Sequence, residues 1–152
     1  MITMGLRVAP TIVTFALYNV EAEEVVSVED ILIPAAFELP DALKYVRSSI
    51  LDVLREYSVE KAGVRTTEPI AKRLSIERIQ IEGVIQEAFA SSELNKYFAG
   101  PIAVVCSALK VDRTAFKLIV TQGRNDLDVE NWESMSEAGR EAVLCAIGAA
   151  NV

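Results

Sequence analysis

Ala62-Gly63-Val64-Arg65-Thr66-Thr67-Glu68-Pro69-Ile70-Ala71-Lys72-Arg73-Leu74-Ser75 reads as a short buried strand that delivers one carboxylate, Glu68, to its C-terminal end just ahead of a helix. Open α/β sheets gather their chemistry outside the carboxyl ends of their strands, so this stretch argues for a fold class and a candidate site together. Its plainer reading is a strand-to-helix connection in which Glu68 is solvated or caps a helix.

Upstream lie three strand-like runs. Ile2–Val8 is short and apolar, Thr11–Val20 alternates Ile12/Thr14 against Val13/Phe15/Leu17, and Val25–Ile33 alternates again before Pro34. The links at Ala9-Pro10 and Val20–Glu23 are short enough for hairpins, which predicts an antiparallel meander. From Asp41 the period changes: Leu43, Val46, Ile50, Val53/Leu54 and Tyr57 recur at helical spacing for about four turns. Val59–Thr67 supplies a fourth strand. Ser75 can cap a second helix with Ile81, Val84, Ile85, Ala88 and Phe89 inside, where Gly83 is expected to admit a close approach to the sheet.

After Gly100-Pro101 the unbroken apolar run Ile102–Ser107 reads as a strand buried on both faces. Asp112 can cap a short helix to Val120, and Ser134-x-x-Glu137 has the form of a capping box before an Ala-rich helix ending at Ala150. The predicted order is βββαβαβα in one domain over residues 1–152.

Composition narrows the chemistry. The chain has no histidine, which removes Ser-His and Cys-His nucleophile pairs and His-rich zinc sites and leaves carboxylates, Lys, Tyr, Cys or an oxygen-held metal. Neither GxGxxG nor GxxxxGK[ST] is present, so dinucleotide and P-loop sites are not expected. The net charge of −7 argues against nonspecific coating of nucleic acid, although Arg65, Lys72, Arg73 and Arg78 form a local basic patch near Glu68. Cys106 and Cys145 sit in apolar runs and read as small buried thiols. No apolar run approaches the ~20 residues that span a bilayer, and the segment after Arg7 offers no small-residue cleavage site, so a cytoplasmic protein is expected. Asp126, Asp128, Glu130 and Glu137 have the ligand spacing of a calcium loop, with Asn131 at its sixth place; an ordinary acidic loop is the expected reading.

The order of elements, together with Gly5-Leu6-Arg7-Val8, Val64–Glu68, Gly83 and Glu137–Ile147, resembles the ribonuclease H-like superfamily and most closely its RuvC-type, Holliday-junction resolvase-like branch. That resemblance implies a mixed five-stranded sheet of order 3-2-1-4-5 flanked by helices. It also implies two-metal phosphodiester hydrolysis, with clustered acids holding Mg²⁺ or Mn²⁺. Carried onto this chain, the fourth-strand ligand is Glu68. The final-helix ligand is Glu141, with Glu137 or Ala138 one turn earlier, and Arg65, Lys72 and Arg73 are placed to hold phosphates. The first-strand aspartate position is Arg7. If Thr11–Val20 were the first strand, the position would be Thr or Ala, and no aspartate precedes Asp30.

A fixed cation at that place repels Mg²⁺ and is expected to pair with Glu68. At ~4 Å and an effective dielectric near 20, one such interaction is worth roughly 4 kcal/mol. The resemblance therefore implies a degenerate site. Its expected role is a binding or assembly module, a homodimer through its apolar helices or a nucleic-acid binder through the basic patch. The alternative is a metal-dependent nuclease using Glu68, Glu137 and Glu141.

Overall fold

A computed structural model describes all of residues 1–152. Strands β1 (Ile2–Val8), β2 (Ile12–Asn19) and β3 (Glu24–Leu32) form the antiparallel meander, and β4 (Lys61–Arg65) and β5 (Lys96–Gly100) follow. They build one sheet of order β3-β2-β1-β4-β5, with β4 parallel to β1 and β5 parallel to β4. Ile2–Val8 is thus the first strand, and the Thr11–Val20 run is the second. Helices α1 (Leu39–Glu56) and α2 (Ile76–Ala90) lie together on one face; α3 (Ile102–Leu109), α4 (Arg113–Thr121) and α5 (Glu137–Ala150) lie on the other. No helix is long and apolar enough to cross a membrane.

Central position explains the composition of β1. Met4, Leu6 and Val8 enter the core beneath α1 and α2, whereas the alternate residues Thr3, Gly5 and Arg7 face α5. One face is wholly apolar, and the other carries a glycine between two polar residues that find partners on α5. The glycine lets α5 close in: a Cβ on Gly5 would sit 2.0 Å from the Ala142 carbonyl oxygen and 2.2 Å from the Ala146 nitrogen. Thr3 adds a hydroxyl donated to the Ala146 carbonyl at 2.7 Å. The Ala-rich character of α5 and Gly5 of β1 are two halves of one close contact.

Three local expectations are corrected. Ile102–Ser107 is helical, and the fifth strand is the preceding Lys96–Gly100. A short run that is apolar throughout has no period to separate a buried helix from a buried strand. Pro101 begins the helix as its N-cap, while Tyr97 and Phe98 supply the β-forming residues. Gly83 approaches nothing, since a Cβ there would have no neighbour within 4 Å; Gly5 makes the close approach instead. The cap of α5 is Ser136, whose hydroxyl accepts from Gly139 N at 3.0 Å, and Ser134 lies in a short 3₁₀ turn. Asp112 and Ser75 cap α4 and α2 as their positions suggest.

Candidate functional site

Arg7 and Arg65 stand directly opposite each other on the parallel pair β1 and β4, near the C-terminal ends of both strands. Like-charged neighbours in one register need an anion between them. Glu141, in the second turn of α5, provides it: its Oε2 receives Arg7 Nε at 2.7 Å and Arg65 Nη1 at 3.1 Å. The close seating of α5 on Gly5 is what brings Glu141 down to this level.

Beyond Arg65 the chain reaches Glu68, whose Oε1 accepts the backbone N–H of Ile102 at 2.8 Å. Glu68 therefore caps the first turn of α3, as its plainer reading allowed. The same carboxylate lies 3.6 Å from Arg65 Nη2 and 3.7 Å from Arg113 Nη2 on α4. A second cluster adjoins on α2. Glu82, 3% exposed, accepts from Thr67 N at 3.0 Å, Thr67 Oγ1 at 2.9 Å and Arg78 Nε at 2.8 Å. On the other side of Arg7 the sheet row continues through Thr14 to Asp30, with the Thr14 hydroxyl donating to Asp30 Oδ1 at 2.6 Å.

Burial is the largest influence on Arg7 and pulls its pKa down, Glu141 opposes this, and Arg65 and Arg78 add to the lowering. A guanidinium stays protonated under such pressure, so the pair remains ionic. Two buried donor atoms, Arg65 Nε and Arg78 Nη2, have no partner.

Of the residues that the sequence nominates, Glu68 and Glu141 are brought to one place, linked through Arg65. Glu137 is exposed at the start of α5 and joins no ion pair with them, and Ala138 in the alternative register carries no ligand atom. Arg65, expected on phosphates, is buried and committed to two glutamates. Lys72 and Arg73 are exposed on the segment between β4 and α2 and make no ion pair. Arg7 pairs with Glu141 rather than Glu68, because Glu68 turns away to the start of α3.

Glu82 and Arg113 escape a reading of the sequence. Glu82 has a signal there: it stands beside Ile81 in the buried stripe of α2 and four residues after Arg78, the spacing of a helical ion pair. Arg113 has none, because only the packing of α4 near Glu68 gives it a role.

A pair of divalent cations does not fit this donor set. Arg7, Arg65, Arg78 and Arg113 surround Glu68, Glu82 and Glu141, so four cations already face three carboxylates. No three acidic side chains converge closely enough to hold an ion. Each arginine competes with Mg²⁺ for the carboxylate oxygens it is paired with and repels the ion. The Asp126–Glu137 segment is likewise a loop of dispersed acids, with Asp126 paired to Arg124.

The architecture is the ribonuclease H-like fold of the RuvC type. The structure of RuvC from Thermus thermophilus matches with a TM-score of 0.76 at 16% identity, covering 99% of this chain and 93% of that one. T. thermophilus RuvC in complex with a Holliday junction substrate matches at 0.70 and 17% identity with the same coverage, 99% and 93%. The fowlpox virus Holliday junction resolvase matches at 0.51 and 8% identity over 99% of this chain and 95% of that one. At these identities the likeness is one of fold. No protein-family model and no curated protein sequence matches the chain.

Proposed function

We propose that this chain is a nuclease-like domain that has given up metal-dependent cleavage and acts as a binding or assembly module. The observation that supports this is Glu141 clamped between Arg7 and Arg65, where the resemblance places carboxylates shared by metal ions. Guanidinium groups supply positive charge in fixed, planar geometry and hold the glutamates by charge-assisted hydrogen bonds in a mostly buried setting. They activate no water and stabilise no pair of attacking and leaving oxygens. The charge network therefore holds α3, α4 and α5 to the ends of β1 and β4, and the module works through its surface.

The test is cleavage of branched DNA, single-stranded DNA and an RNA–DNA hybrid in Mg²⁺ and in Mn²⁺, with Glu68→Gln alongside. The expected result is no cleavage that depends on Glu68, and the same melting temperature in Mg²⁺ as in chelator. Cleavage that disappears in Glu68→Gln would establish the nuclease reading instead.

A further inference from the structure

The two edges of the sheet differ in how they meet solvent. At β3 the register slips so that Val26 has no partner on β2, and Glu29 and Asp30 stand exposed further along. A bulge and charges are common guards against the approach of another strand. At the other edge β5 has no bulge, and its one charged residue, Lys96, stands at its start. β4 covers one side of β5 and no strand lies beyond it. The Gly100 carbonyl accepts from Thr66 N at 2.8 Å, so Phe98 and Gly100 turn their backbone groups to β4, and Tyr97 and Ala99 turn theirs outward. Such an edge can accept an extended peptide as a further strand.

Shortness and a lysine also guard an edge, and what sets β5 apart is the groove beside it. The groove has a volume of about 440 Å³, with Phe98, Ala103, Val104 and Ala108 as its apolar lining and Lys110 and Asn151 as polar neighbours. Phe98 is drawn inward over two glycines. A Cβ on Gly63 would lie 2.3 Å from its ring, and one on Gly148 3.6 Å from it. The ring therefore forms a floor instead of filling the space, and Val104 remains 36% exposed. Side chains of an added strand alternate between faces, so every second one is directed to this side of the sheet.

Charge selects the occupant. From Lys96 to Val111 the sequence holds no Asp or Glu, in a chain of net charge −7. Lys96 and Lys110 are both exposed and make no ion pair. Lys61, in register with Lys96, donates to the carbonyls of Ala150 at 3.1 Å and Val152 at 2.7 Å. Neighbours in register share a face, which puts Lys96 on the side of the groove. The flanking acids are engaged elsewhere: Glu93 lines a separate cavity with Leu51 and Leu54, and Asp112 accepts from Ala115 N at the start of α4.

We propose that this edge receives an extended, acidic segment of a partner protein, which adds a sixth strand beside β5. An apolar side chain of the segment fills the groove against Phe98 and Val104, and an acidic one meets Lys96 and Lys110. A second copy pairing β5 with β5 would offer those lysines no carboxylate. Nucleic acid would find only two free cations for its phosphates. This inference names the kind of partner taken by the binding module proposed above and rests on that reading.

The test is selection from a displayed library of random short peptides on the intact chain. A labelled synthetic peptide of the selected sequence is then titrated by fluorescence anisotropy. The expected sequences alternate β-branched or aromatic residues with others and carry Asp or Glu, and their binding weakens as salt rises. Lys96→Glu/Lys110→Glu should weaken binding by at least about tenfold. Ala99→Pro removes an outward N–H and leaves the ladder to β4 intact, so it should do the same with little change in melting temperature. In the unaltered chain, bound peptide should slow hydrogen exchange at the Tyr97 and Ala99 amides, a reading that needs no variant to fold.

Selection of no sequence would overturn the proposal, as would peptides that leave those two amides exchanging freely or bind regardless of the lysine exchange. Dimers of the chain that are lost in Ala99→Pro would assign the edge to a second copy instead. A labelled single-stranded oligonucleotide that protects the same amides would assign it to nucleic acid. If the peptide binds as described while the chain cleaves DNA in a Glu68-dependent manner, the edge site stands and the loss of catalysis does not.

Discussion

Arg7 leaves β1 on the face it shares with Thr3 and Gly5, and its charge would be costly there without Glu141. Burial of a charge is tolerated when it is paired and hydrogen-bonded, and removing one partner of a buried pair is far more damaging than the pair is stabilising. Glu141 serves two arginines, so its neutralisation leaves both facing an amide. Glu141→Gln is expected to cost about 3–5 kcal/mol. Arg7→Gln should cost less, because Glu141 retains Arg65 at 3.1 Å. Urea denaturation with an unchanged slope would measure both, and equal losses would show that Arg65 does not share the carboxylate.

At the scale of elements, the α5–sheet contact depends on the absence of one side chain. A methyl on Gly5 meets backbone atoms of α5 at 2.0 and 2.2 Å, and backbone cannot yield as a side-chain end can. Gly5→Ala should therefore destabilise by at least about 3 kcal/mol, with loss of folding as its upper limit. Gly83, inside α2 with open space above it, should behave in the opposite way. Replacing a helical glycine by alanine removes conformational freedom from the unfolded chain, so Gly83→Ala is expected to stabilise by about 0.5–1 kcal/mol. Thermal unfolding of the two variants gives the signs directly.

Across the whole molecule the sheet separates two cores, one under α1 and α2 and one under α3, α4 and α5. Cys145 is buried in the second. Its burial, with a further push from Glu141, moves the thiol pKa from 9.0 up to about 12. The unfolded chain gives up this proton near pH 9, whereas the folded chain keeps it to about pH 12. Unfolding then releases a proton, so stability is full below pH 9 and falls as pH rises toward 12. Cys145→Ala should flatten the alkaline limb of a plot of unfolding free energy against pH. An unchanged slope would remove Cys145 as its cause.

Much of the architecture is legible in local pattern. A short apolar first run, period two in the second and third, a 3.6 period from Asp41, and caps at Ser75 and Asp112 give most of the elements and their order without knowledge of contacts. The absence of histidine and the arginine at position 7 bound the chemistry by residue type alone. What only the tertiary structure decided is which groups meet. Helix α3 has no identity in sequence because a run apolar on every side has no period. Arg7 finds Glu141 rather than Glu68, and Glu82 joins the site, because α5 and α2 deliver those carboxylates from far along the chain. Ion pairs form over a few ångströms fixed by long-range packing, and no spacing along a strand or helix encodes that distance.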